Sequence, residues 1–227
     1  MNMTWVDPRT GFRYAREPKR LVFPVEAEMP ETKRHLEMRT ALYEVLKIRF
    51  AKEAWIGSEQ FVYWDPLDPS ACVAPDAFVR LGGPDDSFDC WKVWERGAPE
   101  LAVEIVSDSD ASPSETVKKF LGYNRLGVKE YVRFDPDGAS LRIWDRSGAG
   151  LVERTIEPGS APACVPLGLF WQVTESAPGE WSLRLSVDPA GKDLLLTHAE
   201  LREQSEAQGR AAAERIRELE AELARRG

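Results

Sequence analysis

The run Leu101-Ala102-Val103-Glu104-Ile105-Val106 constrains this chain more than any other segment. Apart from Glu104 it is apolar at both parities. A strand with one wet face alternates apolar and polar residues, whereas a strand apolar on both faces belongs in the middle of a sheet covered above and below. The run therefore predicts a layered α/β domain. It also sets a problem, because a carboxylate in such a strand is costly unless it is paired, hydrogen-bonded or bound to a metal.

The segments around it supply the layers. Residues 1–30 read as an irregular, proline-dotted lead-in. A helix is predicted from Pro30-Glu31 to near Phe50, with Leu36, Ala41, Leu42, Val45, Leu46 and Arg49 on three- and four-residue steps. Phe61 to Trp64 is a short aromatic run. Ala71 to Leu81 predicts a strand in which Pro75 forces an edge, bulge or end near Asp76. Residues 84–99 read as a loop holding Trp91 and Trp94. Ser112-Pro113-Ser114-Glu115 is a helix start, with Ser as cap, Pro in the first turn and Glu three residues on. Val117, Phe120, Leu121 and Asn124 form one stripe on that helix, expected to face the sheet, and Gly127 stops it. Val128 to Phe134 and Leu141 to Trp144 predict a hairpin around Asp135-Pro136-Asp137-Gly138. Residues 151–156 and 181–187 are further strand candidates. From Leu194 the composition turns to Ala, Glu, Arg and Leu, and residues 198–226 predict one polar helix. Its short seam of Ile216, Leu219 and Leu223 fits either a solvated extension or a short coiled coil joining a homodimer. The expected organisation is a lead-in over 1–30, a domain over 31–190 and a polar helix over 194–227.

Composition narrows the chemistry. The 227 residues suffice for one domain with an appendage. No apolar run approaches the roughly 20 residues of a membrane helix. The start lacks a basic-then-apolar signal, so a cytoplasmic protein without membrane contact is expected. Cys72, Cys90 and Cys164 show no metal-finger spacing and predict reduced thiols packed in the core. With only His35 and His198 available, zinc sites and histidine-based nucleophile triads are poorly supplied. Chemistry must lean on carboxylates. The net charge of −8 and isoelectric point near 5.0 exclude a broad basic nucleic-acid coat but leave room for a local basic groove.

Taken singly, Glu104 suits a structural salt bridge, Asp76 a turn and Lys119 a solvated helix position. Together they suit something else. Two acidic side chains at the ends of adjacent strands, with the Ile105 carbonyl as a third oxygen, make a site for a hard cation such as Mg2+, with Mn2+ an alternative. A lysine nearby can orient water and stabilise the charge that develops in phosphodiester hydrolysis. His35 and Glu37 could support such a site from the first helix or be ordinary surface or core residues. Tyr123, one turn after Lys119, reads as packing. Trp91 and Trp94 could stack on bases or pack the fold.

The stretch Gly97-Ala98-Pro99-Glu100-Leu101-Ala102-Val103-Glu104-Ile105-Val106-Ser107 resembles the signature of the Uma-two family, a family assigned to restriction endonucleases. So do Lys119, Tyr123, Gly127-Val128, Glu130-Tyr131 and Asp135-Pro136 in order, together with Pro75-Asp76 and the helix near His35. The resemblance spans roughly residues 25 to 160. It implies a restriction-endonuclease-like mixed β-sheet core flanked by helices, here with a C-terminal helical extension. It also implies a magnesium-dependent PD-(D/E)XK site of Asp76, Glu104 and Lys119 acting on DNA. Two departures matter. Val106 stands where the general pattern has its lysine, which moves that role to the next helix, at Lys119 with Lys118 as rival. Asp108 and Glu115 stand where the family has a turn residue and an aspartate. The competing expectation is a weak or inactive nuclease-fold module that binds nucleic acid or a protein partner.

Overall fold

The computed structural model describes residues 5–6, 13–14, 21–24, 31–107, 112–148, 150–157 and 159–226. In chain order the elements are β1 (Trp5–Val6), β2 (Arg13–Tyr14), α1 (Lys33–Phe50), β3 (Ala54–Gly57), β4 (Val62–Tyr63), β5 (Cys72–Val73), β6 (Ala77–Leu81) and β7 (Trp91–Lys92). There follow α2 (Val93–Arg96), β8 (Leu101–Ile105), α3 (Pro113–Leu126), β9 (Glu130–Asp135), β10 (Ser140–Ser147), β11 (Gly150–Glu153), β12 (Ala163–Cys164), β13 (Leu169–Ala177), β14 (Glu180–Ser186) and α4 (His198–Arg226). The lead-in over 1–30 lies mostly outside the described residues, but β1 and β2 pair within it.

The fold is mixed α/β. Six strands form the main sheet in the order β11-β10-β9-β8-β6-β3. β8 is interior, antiparallel to β6 and parallel to β9, and every one of its residues is buried. Alternation along the strands gives each face its own core. Val103, Ile105, Val132 and Phe134 pack with Leu42, Leu46 and Phe50 of α1 and with Trp171, Leu183 and Leu185 of the β12-β13-β14 sheet. Ala102, Phe78 and Tyr131 pack on the other face with Tyr123 and Leu126 of α3 and with Trp91 and Val62 of the small β5-β4-β7 sheet.

Several expectations need correction. α1 begins at Lys33, after a Thr32 cap whose hydroxyl accepts from the His35 N–H at 3.2 Å. The segment 71–81 is two strands in different sheets, because the chain breaks at Pro75-Asp76. The loop over 84–99 contains β7 and α2. Of the thiols only Cys164 is fully buried. Trp91 is buried, with its indole N–H donating to the Gly97 carbonyl, and cannot stack on a base. Trp94 is partly exposed. On α3 the expected stripe is split: Phe120 packs on Tyr131 and Trp144 and Asn124 accepts from the Leu151 N–H, but Val117 is 56 % and Leu121 44 % exposed. The buried positions are Gly122, Tyr123 and Leu126. Gly122 lets the helix come down on β5, since a Cβ there would lie 2.8 Å from Val73 Cγ1.

Among the described residues α4 is tied down only at its start. The His198 N–H donates to Glu44, Arg184 holds Glu200 through two hydrogen bonds of 3.0 Å, and the Leu195 N–H donates to the Leu185 carbonyl. From Leu201 onward every described residue is exposed. Deleting residues 202–227 is therefore expected to leave thermal unfolding cooperative and Tm unchanged. Deletion from Leu194 should lower Tm by removing those anchors. Calorimetry on the two truncations checks this, and an unfolded 1–201 chain would make α4 part of the core.

Candidate active site

The site forms where the C-terminal end of β8 meets the break before β6. The register pairs Ala77 with Val103, and one further step sets Asp76 opposite Glu104. Directly opposed residues share a face, with Cβ atoms about 4.5–5.5 Å apart. Asp76 and Glu104 are 5 % and 3 % exposed, so two carboxylates meet in a setting that disfavours charge.

Asp76 is fixed from three sides. The Ile105 N–H donates to its Oδ2 at 2.6 Å. A residue's N–H and C=O point to the same edge of an extended strand, which directs the Ile105 carbonyl toward Asp76 as well. The Ser58 hydroxyl donates to the Asp76 backbone carbonyl at 2.8 Å, and Arg39 reaches Ser58 and forks onto Glu31. On Oδ1, His35 Nε2 lies 2.9 Å away. The approach is off the line of a ring N–H, so this buried nitrogen makes no aligned hydrogen bond. The Asp76 carboxylate raises the His35 pKa against the opposing effect of burial. His35 and Arg39, one turn apart on α1, thus both serve Asp76. Glu37 does not, being turned outward toward Lys33.

Glu104 is held from α3. Lys119 Nζ donates to Oε2 at 2.6 Å, and the Tyr123 hydroxyl donates to Oε1. Burial pushes the Glu104 carboxyl up to about 7; Lys119 opposes the shift and the Asp76 charge adds to it. Lys118 points away, 78 % exposed and 3.6 Å from Glu115. Ser112 caps the helix by accepting from the Glu115 N–H; Asp108 lies outside the described residues. Tyr123 is rigid as well as buried. Its ring stacks on Tyr131 at 4.4 Å, which stacks on Trp144 at 5.1 Å. Burial and the Glu104 carboxylate push the Tyr123 hydroxyl well above its ordinary value, keeping it a donor.

Two other buried glutamates show what a purely structural carboxylate looks like here. Glu100 takes Arg80 and the Leu81 N–H. Glu130 takes Arg154, the Val165 N–H and the Trp171 indole. Glu130 also stands opposite a carboxylate, Asp145, but there Arg154 bridges the two acids and neutralises them, whereas no arginine lies between Asp76 and Glu104 among the described ion pairs. Among the described residues no group of three or more His, Cys, Asp or Glu side chains could hold a metal ion. The protein donors at this end of the sheet are two carboxylates and a backbone carbonyl, a hard-oxygen set. Sequence reasoning underweighted His35, Arg39, Ser58 and Tyr123. Of these, His35 carried a signal through its place on the first helix, and Tyr123 through its spacing from Lys119, since residues four apart on a helix share a side.

The family model Uma2, described as "Putative restriction endonuclease", matches residues 25–186. No curated protein matches the chain. Among solved structures it is similar to "a putative nuclease belonging to DUF820" from Anabaena variabilis ATCC 29413. The identity is 16 %, the match covers 61 % of this chain and 75 % of that one, and the TM-score is 0.44.

Proposed function

The chain belongs to the Uma2 family, whose description is "Putative restriction endonuclease", and from that premise we propose that it is a magnesium-dependent endonuclease hydrolysing phosphodiester bonds of DNA. One observation carries the reading: Asp76 stands opposite Glu104 at the end of a central strand, with Lys119 on the outer oxygen of Glu104. Asp76, Glu104 and the Ile105 carbonyl are the residues that would hold Mg2+, or Mn2+ in its place. The fit rests on their chemistry. Two buried like charges face each other, one with its pKa raised to about 7, and the buried His35 nitrogen beside Asp76 lacks an aligned partner. Magnesium sites commonly use one or two carboxylates plus substrate phosphate oxygens.

A bound divalent cation supplies Lewis-acid charge to the phosphoryl oxygens. The chain's own groups do the rest. Lys119 orients the attacking water and faces the negative charge that grows on phosphorus-bound oxygen. Tyr123 and the Ile105 N–H hold the two carboxylates in place. Water oxygen bonds to phosphorus, the bond from phosphorus to the leaving sugar oxygen breaks, and the proton released by water leaves to solvent as the leaving oxygen gains one.

One observation favours a second reading. Both Glu104 oxygens already accept a donor, as in a binding module that has lost strong metal affinity. Incubating the protein with plasmid and single-stranded DNA, with Mg2+, with Mn2+ and with chelator, separates the two. Cation-dependent nicking supports the nuclease. DNA binding without cleavage under either cation supports the module and sinks the nuclease. The unpaired thiols suit the cytoplasm. The exposed Ile216, Leu219 and Leu223 of α4 suit a short coiled coil joining a homodimer.

A further inference from the structure

We propose that Arg133 binds a backbone phosphate of the nucleic acid next to the scissile bond. The inference rests on the nuclease reading and adds a substrate contact to it. Arg133 is paired in register with Glu104 across the parallel β8–β9 ladder, so the two side chains leave the same face of the sheet. That face carries the apolar and aromatic residues Ala102, Phe78, Tyr131 and Trp144. It also carries three other arginines, each held by the protein: Arg80 by Glu100, Arg142, opposite Arg133 in register, by Glu153, and Arg146 by the Val128 and Asn124 carbonyls. Among the described residues Arg133 has no carboxylate or carbonyl of this kind.

Its bonding is also sparser than that of other partly buried arginines in the domain, of which Arg146 is held by the Val128, Tyr123 and Asn124 carbonyls and several others by carboxylates. Arg39 is matched to Glu31, Arg80 to Glu100, Arg154 to Glu130 and Asp145, and Arg184 to Glu200. Among the described residues no carboxylate lies within ion-pair reach of Arg133. Its one hydrogen bond there is a long one, 3.3 Å, to the hydroxyl of Thr116. Thr116 sits three residues before Lys119 on α3, about 4.5 Å along the axis. The helix therefore presents Thr116 with Arg133, then Lys119 with Glu104, in succession along one side. A guanidinium with no counter-ion among the described residues, held by a threonine one helical turn from the lysine of the site, matches a phosphate oxygen pair in shape and charge. It also answers how a chain of net charge −8 would hold a polyanion beside two carboxylates, since Lys119 is already engaged by Glu104.

The test measures binding of a labelled DNA duplex, and of one of its strands, by the full chain. Ca2+ replaces Mg2+ as the oxygen-seeking cation, and salt is varied. Arg133→Met is expected to weaken binding about tenfold and to flatten the dependence of log Kd on log salt by about 0.9, the effect of one lost phosphate contact. Arg133→Lys should keep the salt slope with weaker binding, and cation binding by both variants should match wild type. Should Arg133→Met lower Tm, Arg133→Gln, which retains a donor for Thr116, replaces it. Wild-type binding with an unchanged Kd and slope in the neutral variants overturns the proposal and leaves the nuclease reading intact. If wild type binds neither DNA form at any salt, the nuclease reading falls and Arg133 with it.

Discussion

Lys119→Ala is expected to lower metal-dependent cleavage by about 10²–10³-fold, the usual cost of removing one preorganised donor aimed at developing charge, while Lys118→Ala leaves it close to wild type. Lys119 Nζ sits 2.6 Å from Glu104 Oε2, whereas Lys118 is 78 % exposed beside Glu115. Val106, which follows Ile105 where the general pattern has its lysine, cannot hold a proton or a charge. Removing Lys119 also removes the largest of the effects that oppose the upward pKa shift of Glu104. Cleavage and cation binding should therefore be compared over a pH series at saturating cation, where a higher Glu104 pKa in the variant shows as a displaced profile and the high-pH limit isolates the loss of the lysine itself. At that limit the variant should still bind the cation. Equal losses for the two lysine variants, or a larger one for Lys118→Ala, would refute the assignment.

The second large effect is on stability and needs no catalysis. Glu104 titrates near 4.5 when unfolded and at about 7 in the fold, chiefly because it is buried. Between those values the folded state holds more protons than the unfolded state. Through this group, stability of the cation-free protein should fall as pH rises from 4.5 to about 7 and then level off. A divalent cation, were it held by Asp76 and Glu104 as proposed, would replace the proton. At pH 8 and about 100 times its Kd, the cation adds about 2.7 kcal/mol. For a chain of this size that is an upward Tm shift of about 5–10 °C. At pH 5 the proton competes and the shift should shrink. Asp76→Ala should abolish the shift at both pH values. Scanning fluorimetry with Mg2+ and Mn2+ reads it out, and an undiminished shift in Asp76→Ala would place the bound ion elsewhere.

The two predictions draw on different parts of the chain's legibility. β8 could be read locally, because a run apolar at both parities with one acid has few places to go, and it is interior and buried throughout. α3 announced both ends, through the Ser112 cap and through Gly127, which takes the left-handed conformation at φ +90°. The bounds of α4 followed from composition, since a stretch of Ala, Glu, Arg and Leu helps itself into a helix without a core. Even the break between β5 and β6 was signalled, because Pro75 removes a ladder donor.

What the local signals could not decide was which side of α3 meets the sheet. Helical periodicity says which residues share a face, not which face is buried. By hydrophobicity Val117, Phe120, Leu121 and Asn124 were the natural choice, and of these Phe120 and Asn124 do reach neighbouring elements. The fold centres the buried side on Lys119, Gly122, Tyr123 and Leu126, at steps of three, four and seven from Lys119, and leaves Val117 and Leu121 exposed. Lys119 is only 32 % exposed and Tyr123 fully buried. Burying a lysine and a phenol is unfavourable on its own. It becomes tolerable because Glu104, fifteen and nineteen residues back in the chain, offers each a carboxylate oxygen, and because Gly122 lets the helix approach closely enough to use them. The same holds for His35 on Asp76, forty-one positions apart. The sequence alone determined the central strand, its buried acid and both ends of α3. Tertiary structure decided which polar groups reach that acid, because such contacts depend on pairings that no local periodicity records.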